Sequence, residues 1–230
     1  MMNHAMASGR VQRLALNRRG RDYVVGDIHG EFPRLEEALS SLGFEPDRDR
    51  LFCTGDLVDR GPCSGQAGEW IARPWFHSVL GNHERMLLDA CGDPRLLASW
   101  LHANGGQWWL DLDENERHHL LEAFRRLPLA MEIATAAGPV GVVHADVPPW
   151  LDWPQLTAAL ASGDAELEHY LLWERRRISF MDRRPVAGIH RVYCGHTPVD
   201  RPRRLGNVYF IDTGICFGGD VHVLPLGGDP

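Results

Sequence analysis

The chain has 230 residues, 44% hydrophobic and 24% charged, a globular composition that needs no disulfide staples to bury a core. A formal charge of −7 excludes nucleic-acid binding through a broad basic surface, and no apolar run approaches the ~20 residues that span a bilayer. The five cysteines (Cys53, Cys63, Cys91, Cys194, Cys216) form no C-x-x-C pair, which excludes a zinc knuckle or dithiol site and points to reduced thiols in a cytosolic protein. Up to Arg21 there are five arginines and no Asp or Glu, so residues 1–21 read as a flexible basic arm rather than a transit peptide. "DYVVGD" then predicts a buried strand, and "EFPRLEEALSSLGF" a helix with Leu35, Ala38, Leu39 and Leu42 on one face. "RLFCTGD" is a second strand, "SGQAGEWIA" a short helix and "WFHSVLGN" a third strand. This alternation predicts an α/β fold with parallel pairing. After the helix "ERMLLDAC", residues 94–103 and 114–126 are helical with no strand between them. They predict a helical insert at about 94–126, packed by Trp100, Trp108 and Trp109, with "NGG" at 104–106 as a helix-ending turn.

The second half turns to strands: "LAMEIA", "PVGVVHAD", "VYCGHT", "VYFIDTG" and "VHVLPL". Residues 136–139 and 203–207 read as turns, and a helical stretch at 155–172 separates "HADVP" from the last three strands. There is no repeat, low-complexity tract or linker. One domain over 22–230 with two sheets is expected, the first more parallel and the second more antiparallel.

Polar groups collect where these strands end. "GDIHG" supplies Asp27 and His29, "GDLVDRGP" supplies Asp56, Asp59 and Arg60, and "GNHE" supplies Asn82 and His83. "VHAD" and "CGHTP" add His144 and His196. Ligands of α/β sheets bind beyond the carboxyl ends of strands, so five such ends converge on one site. Asp27 and His29 are two apart and leave the same face of an extended segment. Carboxylate plus imidazole suits Mn, Fe or Zn better than Ca or Mg. Asp56 can bridge two ions, and Asn82, His144 and His196 can complete the second ion's shell. Two ions ~3.5–4 Å apart form a clamp for in-line displacement at phosphorus.

Taken in this order, "GDIHG", "GDLVDRGP" and "GNHE" resemble the signature of the phosphoprotein phosphatase (PPP) family of calcineurin-like metallophosphoesterases. The later "HAD" and "GHTP…IDTG" are similar to its bacterial and phage branch, and the likeness runs from about Tyr23 to Val223. It implies a sandwich of two mixed β-sheets flanked by helices, a mixed α/β (α+β) fold. It implies one ion on Asp27, His29 and Asp56 and a second on Asp56, Asn82, His144 and His196, with Mn the usual activating ion. It also implies a metal-bridged water nucleophile, His83 as general acid oriented by Asp59, and phosphate held by Arg60, Asn82 and a second arginine just after a Trp. In "LLWERRRIS" that position favours Arg175 over Arg176 and Arg177. Glu84 reads as the first-turn acid that suits a helix dipole.

The implied activity is hydrolysis of phosphomonoesters, chiefly phosphoserine and phosphothreonine in proteins, with broad specificity in the cytoplasm. A dinucleoside polyphosphate hydrolase is the nearest alternative, and Asp59, Arg60 and Glu84 together favour the protein phosphatase. A non-catalytic metal-binding scaffold would have lost a ligand or the Asp59–His83 pair, and neither is lost. The chain departs from eukaryotic members in lacking their longer C-terminal region, so their substrate grooves are not carried over. His4, His77, His102, His118, His119, His169, His190 and His222 fit no motif and read as structural or surface residues. Trp150 reads as core packing rather than site rim, and Cys194 and Cys216 as inert thiols.

Overall fold

Short apolar runs bounded by turn formers set the strand lengths. The computed structural model describes residues 10–226, and the chain there begins with β1 (Val11–Leu14), β2 (Asp22–Val25) and α1 (Phe32–Ser41). β3 (Arg50–Cys53), α2 (Ala67–Ile71), β4 (Phe76–Ser78) and α3 (Asn82–Ala90) follow, then α4 (Pro94–Ala103) and α5 (Glu114–Arg125). The second half holds β5 (Ala130–Ile133), β6 (Val140–Val143), α6 (Trp153–Ser162), α7 (Ala165–Trp173), α8 (Arg176–Ser179), β7 (Arg191–Cys194), β8 (Arg203–Leu205), β9 (Val208–Phe210) and β10 (Val223–Pro225).

The helices start where side chains can take the free first-turn N–H groups. Asp113 accepts from Glu116 N and Asp152 from Gln155 N, each with the reciprocal bond that closes a capping box. Asp93 caps α4 by accepting from Arg95 N and Asp164 caps α7 by accepting from Leu167 N, each without a reciprocal bond. The turn at 104–106 ends α4 as expected, with Gly105 in the left-handed region at φ 83°.

The strands form two mixed sheets, ordered β10-β2-β3-β4 and β1-β5-β6-β7-β9-β8. In the smaller, β2–β3 and β3–β4 are parallel and β10 joins β2 antiparallel. The larger sheet is the more antiparallel of the two, but only slightly: β5–β6 and β8–β9 are antiparallel, while β1–β5, β6–β7 and β7–β9 are parallel. Helices α6 to α8 lie between β6 and β7 in the chain, and a helical crossover of that kind returns the chain for parallel pairing. "VHVLPL" joins the first sheet, not the second.

The flexible-arm expectation is corrected for residues 10–21. Val11–Leu14 pairs with Ala130–Ile133 at the edge of the large sheet, and Arg10 ion-pairs with Glu168 of α7. The remainder of that arm lies outside the described residues. The arginines misled because their backbone, not their side chains, makes the sheet. Residues 203–205, read as a turn, form the edge strand β8.

Alternation along the strands builds two cores. Val24, Phe52, Met131, Ile133, Val140, Val142, Tyr193 and Tyr209 meet between the sheets. Tyr23, Val25, Leu51, Cys53, Val192 and Phe210 point the other way, toward helix residues such as Leu35, Trp70, Leu156 and Leu171. With β2, β3 and β4 parallel, and β6 parallel to β7, the loops that follow them gather at one edge of the sandwich.

Candidate active site

Asp27, His29, Asp56, Asp59, Asn82, His83, His144 and His196 are all buried together at that edge. Asp56 sits at the centre. Its Oδ2 lies 3.7 Å from His29 Nε2 and 3.9 Å from His83 Nε2, while its Oδ1 lies 3.5 Å from His144 Nε2. One carboxylate oxygen therefore faces each of two groups, His29–Asp56–His83 and Asp56–His144–His196, whose donor atoms lie within 4.8 Å of one another. Asn82 Oδ1 lies 2.8 Å from His144 Nε2 and 2.9 Å from His196 Nδ1. Asp27 is buried beside them, but its carboxylate accepts from His196 N and the Thr54 hydroxyl, and His83 takes the third place beside His29.

Several backbones here are strained. Among the described residues six non-glycine residues have positive φ, and five of them are His29, Asp56, Asp59, Arg60 and His196. Each such conformation costs on the order of 1–3 kcal/mol and persists only where its surroundings over-determine it. Glu84 supplies much of that support. Its buried carboxylate accepts from Asp56 N (3.0 Å), Leu57 N (2.7 Å) and Gly81 N (2.8 Å). It clamps the loop bearing Asp56, a larger part than a first-turn acid. The Asp56 carbonyl in turn accepts from Ile28 N and His29 N. Gly81 is needed for close approach, since a Cβ there would lie 2.2 Å from Asp56 Oδ1.

Hydrogen bonds fix the imidazole tautomers. His29 Nδ1 donates to Val58 O and His144 Nδ1 to Thr54 O, both at 2.8 Å, so each Nε2 presents a lone pair. Burial pushes His29 and His196 down to about 3 and lowers His144 too, so all three are neutral at physiological pH. Burial alone would raise Asp56, yet His144, His83 and His29 hold it well below the carboxylate range. Burial, then Asp212 and Asp56, pushes Asp27 well above that range, and burial brings Asp212 to about 6. Neutral imidazoles with carboxylate and amide oxygens are a donor set for a divalent transition cation. His144 Nε2 and Asn82 Oδ1 face each other as two lone pairs, an arrangement a cation relieves.

His83 is held apart from this pattern. Its Nδ1 donates to Asp59 Oδ2 at 2.5 Å, and its own N–H donates to Asp56 Oδ1. Burial opposes charge on His83, but Asp56 and Asp59 outweigh it and raise its pKa above the ordinary histidine value. Asp59 also accepts from Trp100 Nε1 at Oδ2 and from Trp108 Nε1 at Oδ1, each at 2.8 Å. The sequence reading assigned these tryptophans to packing, because composition cannot tell which way an indole N–H points. Arg60, on the exposed rim, reaches His29 Nε2 (2.6 Å) and His83 Nε2 (2.9 Å), with its guanidinium over the Phe217 ring.

The three adjacent arginines separate in space. Arg175 is exposed, and its charge acts on His144, His196 and Asp212. Arg177 is buried against Asp146 at 3.0 Å and also donates to the Arg184 carbonyl, so it is a structural ion pair. Trp150 is 64% exposed and packs edge-on against Tyr170, which corrects its expected core position.

Residues 22–224 match the calcineurin-like phosphoesterase family. The chain belongs to that family. This calcineurin-like phosphoesterase is therefore a hydrolase. It is 34% identical over 208 residues to serine/threonine-protein phosphatase 1 of Salmonella typhimurium, covering 89% of this chain and 91% of that one. It is 35% identical to serine/threonine-protein phosphatase 2 of Escherichia coli, over 91% and 94% of the two chains. A symmetrical bis(5'-nucleosyl)-tetraphosphatase of Methylococcus capsulatus is 35% identical over 147 residues, covering 63% of this chain and 49% of that one. The fold also resembles a cold-active protein-tyrosine phosphatase of Shewanella, with a TM-score of 0.63 at 17% identity over 94% and 77% of the two chains.

Proposed function

We propose that the chain is a metal-dependent phosphomonoester hydrolase whose main substrates are phosphoserine and phosphothreonine in proteins. The observation that carries this reading is Asp56, with one oxygen toward each of two histidine groups and the Asp59–His83 pair beside them. Two divalent cations, Mn by preference with Fe or Zn also suited, would be held by Asp27, His29 and Asp56 on one side and by Asp56, Asn82, His144 and His196 on the other. Bound there, they supply Lewis acidity at phosphorus. Arg60, Arg175 and the Asn82 amide hold the phosphoryl oxygens, a task that suits the planar fork of arginine. His83 gives its Nε2 proton to the leaving serine or threonine oxygen. Asp59 keeps the imidazole ring oriented through Nδ1.

Among the described residues no helix is long and apolar enough to cross a membrane. The likeness to the enterobacterial phosphatases supports reading the chain as a cytoplasmic enzyme acting on phosphoproteins, with no nucleic-acid or membrane partner. Near full-length likeness to named serine/threonine phosphatases favours the protein substrate, and partial likeness to the tetraphosphatases keeps diadenosine tetraphosphate as a second reading. The test is metal-stripped protein with Mn restored, given a phosphoserine peptide and diadenosine tetraphosphate in parallel. Mn-dependent phosphate release from the peptide with the dinucleotide left whole is expected. Efficient cleavage of the dinucleotide with a slow peptide would overturn the substrate assignment and leave the metal site standing.

A further inference from the structure

Asp59 is fully buried, so its carboxyl oxygens need hydrogen-bond donors. Besides His83, two indoles from the insert donate to it, Trp100 in α4 and Trp108 in the 3-10 turn that follows it. The insert also touches the backbone of the same loop, because Arg60 N donates to Gly105 O. A Cβ at Gly105 would lie 2.7 Å from Arg60 N, so the two segments are in close contact. Trp100, Trp108 and Trp109 pack edge-on with ring centroids 5.8–6.4 Å apart, which fixes the directions of the N–H groups.

We infer that Trp100 and Trp108 are positioning residues for general-acid catalysis: their indole N–H groups hold the Asp59 carboxylate in the plane that orients His83. The inference rests on the reading of His83 as the proton donor. The donor type suits the task. An arginine or lysine here would neutralise Asp59 and weaken its hold on His83, whereas a hydroxyl could rotate away or accept a bond itself. An indole N–H is neutral, donor-only and rigidly mounted. It satisfies the carboxylate oxygens while leaving the negative charge to His83. The helical insert, which carries no metal ligand, then takes part in the chemistry at one remove.

The test uses leaving-group dependence in the Mn-loaded, full-length protein. Trp108→Phe is compared with wild type and His83→Asn on a phosphoserine peptide and on p-nitrophenyl phosphate, with metal content measured for each. A serine alkoxide needs a proton as it leaves and p-nitrophenolate hardly does. Trp108→Phe is expected to lower kcat on the peptide about 10-fold, within the ~10–100-fold range for groups that orient a ligand. Loss on p-nitrophenyl phosphate should stay under about 2-fold, with metal content unchanged; this follows because general-acid help is worth ~10²–10⁴-fold only where a proton is needed. In an Asp59→Asn background the same change should add nothing. Equal losses on both substrates, or full additivity with Asp59→Asn, would make Trp108 a packing residue and overturn the inference. If His83→Asn shows no leaving-group dependence, the proton-donor reading fails first and the inference falls with it. Trp100→Phe, which removes the donor at the other oxygen, gives the same readout if Trp108→Phe does not fold.

Discussion

Arg175 and Arg177 are two positions apart and sit in opposite environments, the first exposed and the second buried. Arg177 is a buried cation paired with a buried Asp146, so removing it leaves an uncompensated carboxylate. Arg177→Ala is expected to cost ~3–5 kcal/mol in urea unfolding. Arg175→Ala should leave the unfolding midpoint within error and raise KM for a phosphopeptide on the order of tenfold, since a lost charged hydrogen bond is worth ~1.5–3 kcal/mol. The reverse pattern would exchange their roles. At this scale the strand-end Asp, His and Asn residues picked out in the sequence lie buried together, because short motifs set them at the ends of neighbouring strands. The sequence favoured Arg175 over Arg176 and Arg177 only by its position after Trp173, and it missed the carboxylate clamp of Glu84 and the indole bonds of Trp100 and Trp108. Those depend on which side chain meets which across 27 to 49 residues of chain.

Among the elements, β4 shows how a strand sets a titration. His77 stacks on Phe52 of β3 with ring centroids 5.1 Å apart, and burial with nearby Arg50 pushes it down to about 4 from 6.5. Between those values the unfolded chain binds a proton that the folded chain refuses, so stability falls as pH drops from 6.5 to 4. His77→Phe should flatten the dependence of unfolding free energy on pH in that window by up to one proton. Urea titrations at three pH values across it measure the slope, and an unchanged slope would mean that His77 titrates normally. Most elements were legible from apolar periodicity and turn residues, as with Leu35 and Leu39 on the buried face of α1. The strands β1 and β8 were not, because both lie at sheet edges and only one of them has any side chain fully buried. Edge strands are held by backbone pairing, which leaves little pattern in the side chains.

For the whole molecule, the sandwich brings Asp27, Asp56 and Asp212 into one buried edge, where they repel one another. A cation that binds there adds stability by mass action, ~2.7 kcal/mol at a concentration 100 times its Kd. For a chain of this size Mn²⁺ should raise the melting temperature of chelator-stripped protein by roughly 5–10 °C, since ~1 kcal/mol shifts Tm by 2–4 °C. Asn82→Ala should reduce the shift, and no shift in the parent protein would argue against a buried cation site. The sequence by itself determined the fold class, the alternation of strand and helix before the insert and the residue types that meet at the strand ends, because these follow from local period and from motifs a few residues long. Only the tertiary structure decided that residues 11–14 join the large sheet, that Asp56 faces both ways, and that the insert reaches Asp59. Each of these is a contact between segments far apart in the chain, and hydrophobic periodicity carries no information about which distant partner a buried polar group will find.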